Sequence, residues 1–205
     1  MPMVMPASQR KRICVPAPNR KRWTRKECEF LVKNELLIER YELIDGEIIS
    51  LMGQNRPHLT TVMRFTAWLI HLFGEDYVQC QGPIDVANED NTYNEPEPDI
   101  AALAKPLAAY TERNPVPEEL LLVVEVSDST LAFDLRTKSL QYARAGIQDY
   151  WVADVPRRQI IVHRNPSPSG YQEVISYTAD ETLSPLARPE VSVQVSELFP
   201  PLPDA

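Results

Sequence analysis

The stretch Leu120-Leu-Leu-Val-Val-Glu-Val126 limits the fold more than any other part of the chain. It is too short for a stable helix and rich in β-branched valine, so it reads as a strand buried on both faces. A strand of that kind must be covered on each side, which points to a central sheet flanked by helices. Its single polar residue, Glu125, carries a second demand. An ionised carboxylate inside an apolar strand is expensive unless a partner or a metal compensates it.

The flanking sequence fits such a sheet. Thr24 followed by Glu27 resembles a capping box that opens a helix over about 25–34. Two short apolar runs lie either side of Asp45-Gly46 within 41–50, and Asp-Gly suits a tight hairpin turn. From 57 to 73, Leu59, Val62, Met63, Thr66, Leu69, Ile70 and Phe73 recur at threes and fours, and Gly74 ends the helix. Strands are expected at about 76–81, 84–87 and 99–103, followed by a proline-broken loop over 105–119. After the central strand come a helix over about 135–145, closed by Gly146, and strands at about 148–153, 158–163, 171–177 and 191–195. The pattern predicts an α/β domain over 23–205, preceded by a basic arm over 1–22 that stands outside the fold.

Composition narrows the function classes. A chain of 205 residues with 43% hydrophobic and 24% charged residues can bury one ordinary globular core. Its apolar runs fall far short of the roughly 20 residues of a transmembrane helix, so no membrane role is expected. The first ~30 residues carry charge and proline where a signal peptide would be apolar, so the expected compartment is the cytoplasm. Cys14, Cys28 and Cys80 are widely spaced and include no CxxC pair, which indicates neither a disulfide framework nor a zinc site. The net charge of −8 is uneven. Residues 1–30 carry a net +6, leaving −14 on the remainder. An acidic body is a poor general surface for a phosphate backbone, although the arm could supply positive charge.

Three features carry chemistry. Pro98-Asp99-Ile100 opens a strand, Glu125 lies in the buried strand, and Lys138 sits on the helix that follows. Two carboxylates on neighbouring strands with a nearby lysine suit a hard divalent cation and an attacking water. Each residue also has a plainer reading. Asp99 could be a turn residue before a strand, and Glu125 the partner of a structural ion pair. Lys138 could form a surface pair with Asp134, four residues earlier. His58 could line a site at a helix start, Tyr142 could touch phosphate or lie half-buried, and Arg136 and Arg144 could contact DNA or stay solvated. Tyr150 and Trp151 suit packing.

In chain order, these features join Tyr41-Glu42-Leu-Ile-Asp45-Gly46-Glu47-Ile, Pro57-His58, Pro98-Asp99-Ile100, Val123-Val124-Glu125-Val126-Ser127, Asp134…Lys138…Tyr142 and Gly146-Ile-Gln-Asp-Tyr150-Trp151-Val-Ala-Asp154. The set resembles the Uma-two family, a bacterial group of restriction-endonuclease-like proteins, over about residues 23–199. The resemblance implies a PD-(D/E)XK nuclease core: a mixed central sheet with helices on both sides, extended here by the N-terminal hairpin. It implies Asp99 and Glu125 as metal ligands with the backbone carbonyl of Val126, and Glu42 as an additional acid. Ser127 departs from the motif's usual lysine, and Lys138 on the next helix is the implied replacement. The implied cofactor is Mg²⁺ or Mn²⁺, and the implied reaction is hydrolysis of phosphodiester bonds in DNA. Nucleases of this kind often form homodimers. Two alternatives remain open: an inactive nuclease fold serving as a binding module, and a metal-dependent hydrolase of a substrate other than a polynucleotide.

Overall fold

The structure, a computed structural model, describes residues 20–51 and 53–201, so most of the basic arm lies outside the described residues. A six-stranded mixed sheet organises the rest. In chain order its strands are β3 (Val78–Cys80), β4 (Ile100–Leu103), β5 (Leu120–Ser127), β6 (Asp149–Asp154), β7 (Gln159–Ser167) and β8 (Gly170–Tyr177), and they lie side by side in that same order. Only β5 and β6 run parallel. Parallel neighbours need a crossover, here three consecutive helical pieces: α3 (Leu131–Phe133), a π-helical turn (Asp134–Lys138) and α4 (Ser139–Arg144).

Side-chain alternation along β5 sorts its residues between two cores. Leu122, Val124 and Val126 join Val62, Phe65 and Leu69 of α2 (Arg56–Phe73) on one face, where Trp68 stacks on Trp151 at 6.0 Å. Val123 faces the other way, onto Tyr142, Tyr150 and Val152. Glu125 shares the parity of Val123 and so points toward the crossover. The apolar run is buried on both faces, as its composition predicts. Among the described residues no helix is long and apolar enough to cross a membrane.

The hairpin forms as read, with β1 (Tyr41–Ile44) and β2 (Glu47–Ser50) pairing Tyr41 with Ser50 and Ile44 with Glu47. Asp45 (φ 50°) and Gly46 (φ 80°) give the two positive φ angles of a tight primed turn. The hairpin is a separate two-stranded sheet. It is tied to the body by the Leu43–Glu95 bridge and by the Gly46 N–H donating to the Tyr93 carbonyl at 2.8 Å. Helix α1 (Arg25–Lys33) begins at the expected capping box of Thr24 and Glu27. Arg20, Lys21 and Arg22, at the end of the basic arm, lie against the body. The Arg22 Nε donates to the Asp45 carbonyl at 3.0 Å, and the Trp23 N–H donates to the Gly46 carbonyl at 2.8 Å.

Three expectations need correction. Residues 84–87 form no strand, although Ile84 and Val86 are buried. The Ile84 N–H reaches the Pro96 carbonyl and the Asp85 N–H the Pro115 carbonyl, and those prolines have no N–H to return for a ladder. The crossover helix starts at Leu131 instead of 135 and is interrupted by the π turn. The last expected strand shrinks to Val193–Gln194, paired with Thr182–Leu183 as β10 and β9.

Gly46 and Gly146 both hold positive φ, but a Cβ at Gly46 would come within 2.8 Å of Arg22 Cβ, whereas at Gly146 nothing lies within 4 Å. Gly146→Ala should therefore carry only the left-handed conformational penalty of about 1–2 kcal/mol. Gly46→Ala should lose measurably more in urea denaturation, because the Arg22–Trp23 backbone must also move.

Candidate functional site

The register of β4 on β5 brings the acids together. Ile100 pairs with Val124 and Ala101 with Val123, so one step further sets Asp99 opposite Glu125. The Val126 N–H donates to Asp99 Oδ2 at 2.9 Å, which fixes the carboxylate at the strand end. Lys138, the last residue of the π turn, closes the group. Its Nζ lies 3.0 Å from Glu125 Oε1 and 2.9 Å from Glu42 Oε2, and all three side chains are about 95% buried. The structure thus gathers Glu42, Asp99, Glu125, Val126 and Lys138 on the wall of one cavity of about 750 Å³.

Burial pushes the Glu125 carboxyl well above the usual carboxylate range; Lys138 opposes that shift, and Asp134, Asp99 and Glu42 add to it. Burial alone would lower the Lys138 pKa, but the charges of Glu125 and Glu42 reverse the sign and raise it. The ammonium therefore stays protonated at neutral pH. It can donate hydrogen bonds but cannot serve as a base, and two of its three donors are already engaged.

Ser127, standing where the nuclease motif usually has lysine, has another task. Its hydroxyl donates to Asp134 Oδ2 at 2.6 Å, and Thr130 donates to the same oxygen at 2.7 Å. These bonds anchor the start of the π turn that presents Lys138. The surface pair between Asp134 and Lys138 is not formed, since both side chains are buried and directed to other partners. π turns of this kind are frequent at functional sites.

The secondary candidates divide. His58, near the start of α2, has its Nε2 3.5 Å from Asp99 Oδ2. Burial disfavours its charged form, but the hydrogen bond and charge of Asp99 outweigh this and the Val126 backbone adds to them, so its pKa is raised. Tyr142 is wholly buried and its hydroxyl donates to Glu125 Oε1 at 2.9 Å, so it does not reach solvent. Arg144 pairs with Asp90 at 3.0 Å, Arg136 is exposed, and Tyr150 and Trp151 lie in the cores. Residues not singled out in the sequence also line the cavity. Arg40 pairs with Glu97 at 2.6 Å, and Asn55, which caps α2, bonds Asp128. Glu97 stands two residues before Asp99, in the Glu95-Pro-Glu97 segment, which was its one visible signal.

The donor set suits a hard cation. Glu125 Oε2 and Asp99 Oδ1 accept no hydrogen bond from the described residues. Among those residues no group of three or more His, Cys, Asp or Glu side chains is arranged to hold a metal ion. Mg²⁺ needs no such cage, because it dehydrates reluctantly and is commonly held by one or two carboxylates plus waters and substrate phosphates.

The family model for Uma2, described as "Putative restriction endonuclease", matches residues 30–196. The chain belongs to the Uma2 family. Its fold is similar to the crystal structure of "a putative nuclease belonging to DUF820" from Anabaena variabilis ATCC 29413, with a TM-score of 0.60 at 15% identity, covering 82% of this chain and 96% of that one. No curated protein sequence matches the chain. The Uma2 chain therefore has the mixed sheet and flanking helices expected of it, with the hairpin ahead of them.

Lys138→Met should destabilise the protein by about 3–5 kcal/mol near pH 8, because it strands Glu42 and Glu125 without a cation. Without the ammonium, the Glu125 carboxyl holds its proton in the native state over a pH range where the unfolded chain releases it. That contribution favours the fold at low pH and is lost as pH rises through the elevated native titration. The deficit against wild type should therefore be smaller at pH 5 than at pH 8 in denaturant titrations.

Proposed function

We propose that this Uma2 protein is a Mg²⁺- or Mn²⁺-dependent endonuclease that hydrolyses phosphodiester bonds in DNA. One observation carries the reading: the Lys138 ammonium is buried against Glu42 and Glu125 on the same cavity wall as Asp99. Asp99 and Glu125 would hold the cation through their unpartnered oxygens, with the Val126 carbonyl beside them. The bound cation would supply neutralisation of charge developing on the scissile phosphate.

The other residues have definable tasks. Lys138 has one N–H left after Glu42 and Glu125, and it donates that hydrogen bond to orient the attacking water or a phosphate oxygen. Glu42 anchors the ammonium from the hairpin side, and this is how it completes the site. His58 restrains Asp99 from the other flank. The family description and the nuclease named in the structural comparison support phosphodiester chemistry.

A second reading draws on the cavity's charge. Glu42, Glu97, Asp99, Glu125, Asp128 and Asp134 line it against Arg40, His58 and Lys138. Such a wall disfavours a polyanion and suits a smaller phosphoester, handled by the same residues.

Purified protein should nick supercoiled plasmid in Mg²⁺ or Mn²⁺ and lose that activity in EDTA. Asp99→Asn should reduce the rate by more than about 100-fold, beyond what loss of an outer-shell partner does. Cleavage that persists in EDTA refutes the metal-dependent reading, and turnover of small phosphodiesters with intact plasmid selects the second one. Because Glu125 must lose its proton to bind a cation, Mn²⁺ affinity should rise with pH beyond the point where ordinary carboxylates are fully ionised. Calorimetric titrations between pH 5 and 8 would record that rise.

A further inference from the structure

Tyr142 offers no ligand oxygen to the cavity and no route to solvent, yet its hydroxyl is the second donor on one atom of Glu125. Lys138 Nζ and Tyr142 OH both point at Oε1, at 3.0 and 2.9 Å. A carboxylate has about four lone-pair sites, two on each oxygen. Two donors therefore fill Oε1 and leave Oε2 as the only oxygen available from that side chain.

The donors are held firmly. Lys138 is fixed from its far side by Glu42 at 2.9 Å. The Tyr142 ring packs edge-on against Tyr150, with centroids 5.0 Å apart and an interplanar angle of 81°. That contact is made by the Tyr150 ring alone, its hydroxyl donating elsewhere, to the Asp134 carbonyl at 3.1 Å. The carboxylate of Glu125 cannot rotate without breaking a bond to one of these groups.

From this arrangement we infer that Tyr142 is a positioning residue that reserves Oε1 of Glu125 for protein donors, so that a cation meets Oε2 alone and the site favours Mg²⁺ over Ca²⁺. The inference rests on the reading of Glu125 as a cation ligand. Its chemistry is general. Ca²⁺ takes about six to eight oxygens and commonly chelates both oxygens of one carboxylate, whereas Mg²⁺ demands near-octahedral geometry with single oxygens at about 2.0–2.1 Å. A carboxylate with one oxygen already filled meets the second demand and obstructs the first. Removing the tyrosine hydroxyl frees a lone pair on Oε1 and makes chelation available.

The test measures binding instead of turnover. The electron paramagnetic resonance signal of free Mn²⁺ reports displacement by Mg²⁺ or Ca²⁺ from wild type, Tyr142→Phe, Tyr150→Phe and Asp99→Asn. Tyr142→Phe should shift the Mg²⁺-to-Ca²⁺ affinity ratio toward Ca²⁺ by about tenfold, the scale of one hydrogen bond to a charged group. Tyr150→Phe, which removes a neighbouring buried hydroxyl that does not touch Glu125, should keep the wild-type ratio. A merely structural tyrosine would weaken both cations alike and leave the ratio unmoved. Difference infrared spectra of the wild type provide a check that needs no variant, since the carboxylate stretching bands should show single-oxygen ligation.

An unchanged ratio in Tyr142→Phe, an equal change in Tyr150→Phe, or a chelating infrared signature overturns the inference. If Asp99→Asn still abolishes Mn²⁺ binding in those cases, the cation-site reading survives alone. Wild-type binding that ignores Asp99→Asn, or no binding at all, overturns both.

Discussion

The structure turns on one ammonium group enclosed by two carboxylates. Lys138 reaches Glu125 on the central strand and Glu42 on the hairpin, and none of the three side chains has appreciable access to water. Charges removed from water are tolerated only where partners and further hydrogen bonds replace hydration. That condition accounts for several otherwise unrelated details. The hairpin must dock so that Glu42 faces inward, and Ser127 must hold Asp134 so that the π turn aims Lys138 correctly. Tyr142 must supply the second donor on Glu125.

The same enclosure sets the site's electrostatic character. Lys138 is engaged with two acids, so it does little to offset the remaining carboxylates that line the cavity. Arg40, the other strong cation on that wall, is paired with Glu97 and bonded to Gln81. Arg20 is likewise spent on the body, against Glu47. An anionic substrate would meet a negative surface until a divalent ion lay between them. The acidity that would repel a phosphate backbone would thus also attract a divalent ion.

Much of this was legible in the sequence where one residue type has few physical options. The buried strand, the Asp-Gly hairpin and the capped helices rest on local rules and were read at nearly their observed bounds. Glu125 stood out because an acid inside an apolar strand needs a partner. What stayed hidden depends on contacts across the fold. Val86 looked like part of a strand, but Pro96 and Pro115, the backbone partners of that segment, deny it a ladder. The π turn has no evident mark in the sequence, so the crossover was read as one regular helix. Ser127 looked like a missing lysine, and only the fold shows it bonded to Asp134. Tyr142 could not be placed until α4 was seen against β5.

The hairpin's separation from the main sheet makes the buried ion cluster depend on how the hairpin docks. Glu125 and Lys138 come from the central strand and the crossover that follows it, whereas Glu42 comes from the hairpin far earlier in the chain. A nascent or partly melted molecule whose hairpin hangs free would leave Lys138 with a single acid and one wall of the cavity unbuilt. Local opening of β1 and β2 would therefore dismantle the buried ion cluster while the six-stranded sheet stayed whole.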